Sequence, residues 1–208
     1  MATPRERYRA QVHGEIKRHA WEQLATSGMS ALSLNAIAKR MGMSGPALYR
    51  YFASRDELLT ELIGDGYRSL ADAVKAAFDA GADVAGLAHT IRAWALDDPH
   101  RYFLIYGTPV PGYRAPDETT TISGEIMTVL IEAHAALPPR RTPFDTHLET
   151  HSQWAGGSPA PASALHRALS FWTRLHGVLS LELAGHFAGM QFDPAQLFDQ
   201  ELDDLSGA

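Results

Sequence analysis

Ser44, Gly45, Tyr49 and Arg50 carry the chemistry that the rest of the chain must position. A serine hydroxyl, a phenol and a guanidinium within two helical turns are the donors that phosphate oxygens and purine edges accept from. Their neighbours are of the other kind. Ala47, Leu48, Tyr51 and Phe52 form an apolar stripe, so the four polar-side positions are free of core duty and can face DNA. Arg50 has the fork that reads guanine O6 and N7. Ser44 Oγ, Tyr49 OH and the backbone N–H groups at the helix start suit phosphates and would set register.

Two short helices and a turn hold these residues. Leu34, Ile37, Ala38 and Met41 fall on one face of a first helix. Gly42 supplies the left-handed position that ends it, Ser44 is a good N-cap, and Pro46 falls where a missing N–H costs little. Ala38, Gly42 and Leu48 suit two helices crossing closely. The pattern predicts a helix-turn-helix, with an ordinary helical hairpin as the bland alternative.

The charge agrees once it is divided. The net charge of −6 over 208 residues argues against a nucleic-acid partner. Yet residues 1–55 hold nine Lys/Arg and three acids, a net +6, whereas residues 56–208 hold nine Lys/Arg and twenty-one acids, a net −12. A basic quarter on an acidic body is what local phosphate attraction needs. There is no cysteine, so thiolate zinc sites and disulfides are excluded. No apolar run reaches the roughly 18 residues of a transmembrane helix. The charged N-terminus is not expected to be a secretory signal. A cytoplasmic location is expected.

The remaining pattern is helical throughout. Residues 7–27 read as a first helix with Val12, Ile16, Ala20 and Leu24 inward, and His13 and His19 at its rim. Ser54 and Glu57 form a capping box that opens a long helix to about Ala80. A boundary falls near residues 53–56, giving a DNA-binding domain at 1–53 and a helical body at 54–208. In the body, helices are expected from Asp83 to Asp98, His100 to Tyr106, Asp117 to Leu137, 162–188 and 193–206. Gly107 to Pro116 reads as a rigid loop. Residues 138–161 read as irregular, with a helical piece near Phe144 to Gln153. The helix over 162–188 is apolar on more than one side and asks for a partner on a second face.

Leu34, Ile37, Ala38, Gly42, Met43, Ser44, Leu48, Tyr49, Tyr51, Phe52, Arg55 and Leu58, at this spacing after one N-terminal helix, resemble the motif of TetR-type (tetracycline-repressor-like) transcriptional regulators. The resemblance implies an all-α homodimer of about nine helices, three of them forming the helix-turn-helix domain and the rest a ligand-binding and dimerisation domain. It implies phosphate contacts at Ser33, Ser44, Tyr49 and Arg55, and base-facing positions at Gly45, Pro46 and Arg50. Arg55 stands where the family more often has Lys, which keeps the charge and changes the geometry. Phe171, Trp172, Leu175, His176, Gly177, Leu181 and Glu182 are similar to a Trp–His–Gly signature of one branch, placed where that branch dimerises. Dimerisation is therefore expected through the last two helices, 162–188 and 193–206. The expected function is a repressor released from a double-stranded, pseudo-palindromic operator by a small-molecule effector.

Trp94, Tyr102, Phe103, Tyr106, Met127, His134, Phe171, Trp172 and His176 are candidates to line an apolar effector pocket, with the two histidines as polar handles. Each alone also reads as core, and His176-Gly177 also reads as a close-packed dimer seam. His147 and His151 have metal-ligand spacing, with Glu149 near, but no clear third ligand, so no metal and no cofactor is expected. No catalytic motif is present, and an enzyme is not expected. Two alternatives stay open: a DNA-binding regulator without a small ligand, and a helical metal-binding protein or enzyme.

Overall fold

The computed structural model describes residues 3–107 and 116–206. Among them are ten α-helices, two short 3₁₀ turns and no strand. The helices are α1 (Pro4–Ser27), α2 (Leu34–Arg40), α3 (Gly45–Leu48), α4 (Arg55–Asp79), α5 (Val84–Asp97), α6 (Pro99–Tyr106), α7 (Asp117–Ala135), α8 (Pro143–Leu148), α9 (Ala162–Leu183) and α10 (Pro194–Ser206). The expected all-α class, with an N-terminal helix-turn-helix and a helical C-terminal part, is the observed one. No helix among the described residues is long and apolar enough to cross a membrane. The Pro/Gly stretch expected as a rigid loop lies almost wholly outside the described residues.

The helices fall into two compact units. One is Met1–Gly66 with His100–Pro116; the other is Tyr67–Pro99 with Asp117–Ala208. In the first unit α2 packs on α1 and on α3, and Val12, Ile16, Ala20 and Leu24 of α1, Leu34, Ile37 and Ala38 of α2 and Leu48 of α3 are all buried. Lys17 on α1 reaches Asp65 on α4 at 2.7 Å, and His13 reaches Glu61 at 3.2 Å. Gly66 admits α6 closely: a Cβ there would lie 3.0 Å from Ile105 Cγ2. In the second unit α9 is central. It packs on α5, α7, α8 and α10 and buries Leu165, Phe171, Leu175, Val178 and Leu179.

Local devices move several ends away from the sequence-based positions. α1 starts at Pro4, not residue 7, because Thr3 Oγ1 accepts from Glu6 N and Glu6 Oε2 accepts from Thr3 N, a closed capping box. α7 stops at Ala135 rather than Leu137. α9 stops at Leu183 rather than residue 188. Gly185 there adopts φ 77°, and His186 N donates to Leu181 O while Gly185 N donates to Glu182 O, which terminates the helix. At α4, Ser54 Oγ accepts from Glu57 N as expected, but the Glu57 carboxylate takes the N–H of Ala53 instead of Ser54. Residues 138–161 carry α8, which opens on a Thr142/Asp145 capping box and is tied to α9 by Asp145 Oδ1 to His166 Nδ1 at 2.8 Å.

Candidate nucleic-acid interface

The turn between α2 and α3 is built from caps. Ser33 Oγ accepts from Ala36 N at 3.3 Å, and Ser33 N donates to Gln23 Oε1 of α1 at 2.9 Å. α2 ends where Gly42 takes φ 65°, with Met43 N bonded to Ala38 O and Gly42 N to Lys39 O. Those two bonds satisfy the last carbonyls and need a residue that tolerates the left-handed region. Ser44 Oγ then accepts from Ala47 N at 3.3 Å and opens α3, with Pro46 in its first turn. α3 is one regular turn, and a tighter bond from Tyr51 N and an α-type bond from Phe52 N, both to Leu48 O, carry the chain round.

Leu48 and Phe52 anchor this segment and are completely buried; the ring of His13 stacks on Phe52 with centroids 4.5 Å apart. Half of the expected apolar stripe is core, while Ala47 and Tyr51 are only partly covered. The other side presents Ser44, Pro46, Tyr49 and Arg50 to solvent, Tyr49 being 46% exposed. Gly45 and Ser33 are half-buried beside them.

Three residues of α1 join this surface that the sequence reading did not single out. Arg5, Tyr8 and Arg9 lie with Arg50 and Tyr51 along a groove of about 360 Å³. The Arg9 guanidinium carbon is 5.8 Å from the Tyr51 ring centroid, and its Nη2 donates to Arg50 O at 3.5 Å. Tyr8 is 65% exposed. Their i, i+3, i+4 spacing on one helix face was the available signal. Arg55 differs from the expectation of a plain phosphate contact. Its Nε donates to Leu32 O at 3.1 Å and its Nη2 to Met29 O at 2.7 Å, so most of its fork holds the turn that leads into α2. Nearby, Glu22 lies below the ordinary carboxylate range because His19 hydrogen-bonds it and Arg40 and Arg18 lie close.

The nine residues expected to line one effector pocket are distributed. Tyr102, Phe103 and Tyr106 belong to the first unit, where Tyr102 is fully buried with its ring 5.5 Å from Phe103 and 5.4 Å from Tyr106. The other six belong to the second unit. Trp94 Nε1 donates to Ser69 Oγ at 3.0 Å. His134 Nδ1 donates to Leu130 O at 2.7 Å, and its ring meets Phe171 edge-on at 5.3 Å. Burial pushes the His134 pKa down, and Arg167 and Arg140 add to the shift. Trp172 and His176 lie 4.1 Å apart, and burial holds His176 down to about 4. Met127 lines a cavity of about 240 Å³ with Thr128 and Trp154, whereas His134 lines a different one of about 260 Å³. His147 and His151 stack at 4.1 Å, with His151 Nδ1 donating to His147 O at 2.9 Å.

Comparison with known proteins places this architecture. Residues 16–62 match the family model described as bacterial regulatory proteins, tetR family, and residues 84–205 match the tetracyclin repressor-like C-terminal domain. The HTH-type transcriptional regulator Rv1816 of Mycobacterium tuberculosis is 35% identical over 213 residues, covering 93% of this chain and 90% of that protein. The crystal structure of SCO4313, assigned as a regulatory protein, is 71% identical, covers 99% of this chain and 100% of that one, and superposes with a TM-score of 0.93. A protein of unknown function from Rhodococcus sp. RHA1 shares the fold at 22% identity, with a TM-score of 0.69 and 93% of each chain covered. The two matching families and Rv1816 are transcriptional regulators rather than enzymes, and the chain belongs to the TetR family of bacterial regulatory proteins, as a DNA-binding transcriptional regulator with an N-terminal helix-turn-helix.

Proposed function

We propose that α3 enters the major groove and that the chain acts as a ligand-released repressor. Arg50 reads base edges, with Gly45 and Pro46 as the other base-facing positions. Ser33, Ser44 and Tyr49 bind phosphates and set the register. Arg5 and Arg9 extend that contact along the backbone, and Arg55, expected as a phosphate contact, is read instead as positioning the turn, with Nη1 3.7 Å from Asp56 Oδ1. The reading is carried by one observation: Tyr49 and Arg50 stand exposed directly beyond the buried Leu48 and Phe52, beside a groove lined with further arginines. Residues 1–53 are taken as the DNA-binding domain and residues 54–208 as the effector-binding and dimerising one.

Regulators of this family bind operators as dimers. Here the last two helices, α9 and α10, are proposed as the seam, supported by the exposed apolar side chains of Leu181 on α9 and of Met190 and Phe192 in the connection between them. A two-fold dimer reads a pseudo-palindrome. A small, largely apolar effector, held by aromatic residues of the C-terminal part, shifts the population away from the DNA-bound state. A cytoplasmic location follows from that role. The test is fluorescence anisotropy on duplexes selected from a random pool. Tyr49→Ala weakens selected and unselected duplexes alike, by about 5- to 10-fold for one lost phosphate contact. Arg50→Ala removes discrimination of about 1–3 kcal/mol at one base pair. Equal effects of both changes on every sequence would overturn the assignment.

A further inference from the structure

Arg140, Arg167 and Arg174 line the 260 Å³ cavity above His134, together with Ser170 and Asp204. Arg167 Nη1 donates to Pro138 O at 2.7 Å, which fixes the plane of its fork. Arg140 Nε is buried and has no hydrogen-bond partner among the described residues. Leaving such a charge-bearing donor unbonded costs more than leaving it in water.

Of this trio Arg174 is paired with Glu201, whereas among the described residues no acid lies in direct ion-pair contact with Arg140 or Arg167. Asp145 is bonded to His166 at 2.8 Å, and its other oxygen accepts from Thr142 N. Glu149 lies 3.4 Å from Arg141 instead. Asp204 accepts from the neutral Gln200 amide at 2.9 Å and keeps its charge on the cavity wall, and Glu201 pairs with Arg174 at 3.6 Å. Burial and the charge of Arg140 push Arg167 below its ordinary value, against the opposing charge of Asp145. In a chain of net charge −6 this is a local excess of positive charge in a concavity.

We infer that this cavity is a binding site for a small oxyanion, a phosphate or carboxylate group held by the Arg140 and Arg167 forks with Ser170 as a further donor. Bidentate arginine geometry matches both groups. At about 260 Å³ the cavity is smaller than the roughly 300–1,000 Å³ of drug-sized sites, and so takes a compact anion rather than a multi-ring compound. His134 lies at its base with Nδ1 committed to Leu130 O, which leaves Nε2 to take up a proton when an anion arrives. The inference is independent of the DNA-reading assignment.

Isothermal titration calorimetry on the full chain, in phosphate-free buffer at fixed ionic strength, tests it with two probes, inorganic phosphate and citrate. Saturable binding of one anion per chain is expected, and the stronger probe identifies the source of the group. Arg140→Gln and Arg167→Gln each weaken it about ten-fold or more. Arg140→Lys keeps the charge but loses the fork and falls between. Arg141→Gln, on the exposed neighbour, leaves binding unchanged. The inference is overturned if neither probe saturates, or if Arg141→Gln weakens binding as much as Arg140→Gln. It is also overturned if Arg140→Gln and Arg167→Gln leave anion binding intact but loosen the dimer by sedimentation, since a partner subunit's carboxylates would then be the occupant.

Discussion

Replacing Arg55 separates two roles that one guanidinium could play. As a phosphate ligand it would matter only when DNA is bound. As a clamp it matters in the free protein, and its geometry favours the clamp: Nε to Leu32 O at 3.1 Å and Nη2 to Met29 O at 2.7 Å span the connection from α1 into α2. A hydrogen bond from a charged donor contributes about 1.5–3 kcal/mol where it is shielded. The side chain is 36% exposed, so solvent competes for both bonds, and their sum is set at roughly 2 kcal/mol. For Arg55→Ala this predicts that amide hydrogens of α2 and of the Ser44–Phe52 segment exchange about 30-fold faster, because the opening free energy falls by that amount. Arg55→Lys keeps one bond at most and restores about half. Native-state hydrogen exchange read by mass spectrometry makes the measurement without DNA. Exchange within two-fold of the parent, together with a DNA salt dependence shallower by one phosphate contact, would refute the clamp and return Arg55 to the phosphate-contact reading.

Two further outcomes follow from charges. His176 is held at about 4 against an ordinary 6.5, so the unfolded chain takes up a proton that the folded chain refuses. Its contribution is intact above pH 6.5 and falls with acid: about 2 kcal/mol is lost by pH 5 and about 3 kcal/mol below pH 4, a slope that His176→Gln removes in urea denaturation series. Of the nine basic residues in the first 55, four are already engaged: Lys17 by Asp65, Arg18 and Arg40 by Glu22, and Arg55 by carbonyls. With Arg5, Arg7, Arg9, Lys39 and Arg50 remaining, log K against log salt should be no steeper than about −4.5 per subunit, whereas nine contacts would give about −8. A slope beyond about −6 would mean that the ion pairs open on DNA.

The helix-turn-helix was legible because its devices are local. Ser33, Gly42 and Ser44 act on backbone groups within five residues, so residue type and spacing state what the caps will do. The same local logic was available at Thr3-x-x-Glu6 and at Gly185, and there it corrects the ends of α1 and α9. What sequence could not supply is the meeting of distant side chains. Arg9 finds Arg50 across 41 positions, and Asp145 finds His166 across 21. The aromatic group shows the limit most clearly. Residue type marks Trp94, Tyr102, Met127 and Phe171 alike as apolar, but packing assigns Tyr102 to one compact unit and the others to another, and gives Met127 and His134 different cavities. Charge behaves the same way. Dividing the net charge locates the basic quarter, yet a count of arginines is not a count of DNA contacts, because it does not distinguish Arg50, exposed in the turn after α3, from Arg55, bonded to two carbonyls. The Arg140–Arg167 pair is the converse: two basic residues inside the acidic body, invisible to the regional sum, and left without a direct ion pair among the described residues because Asp145 is bonded to His166 and Glu149 pairs with Arg141.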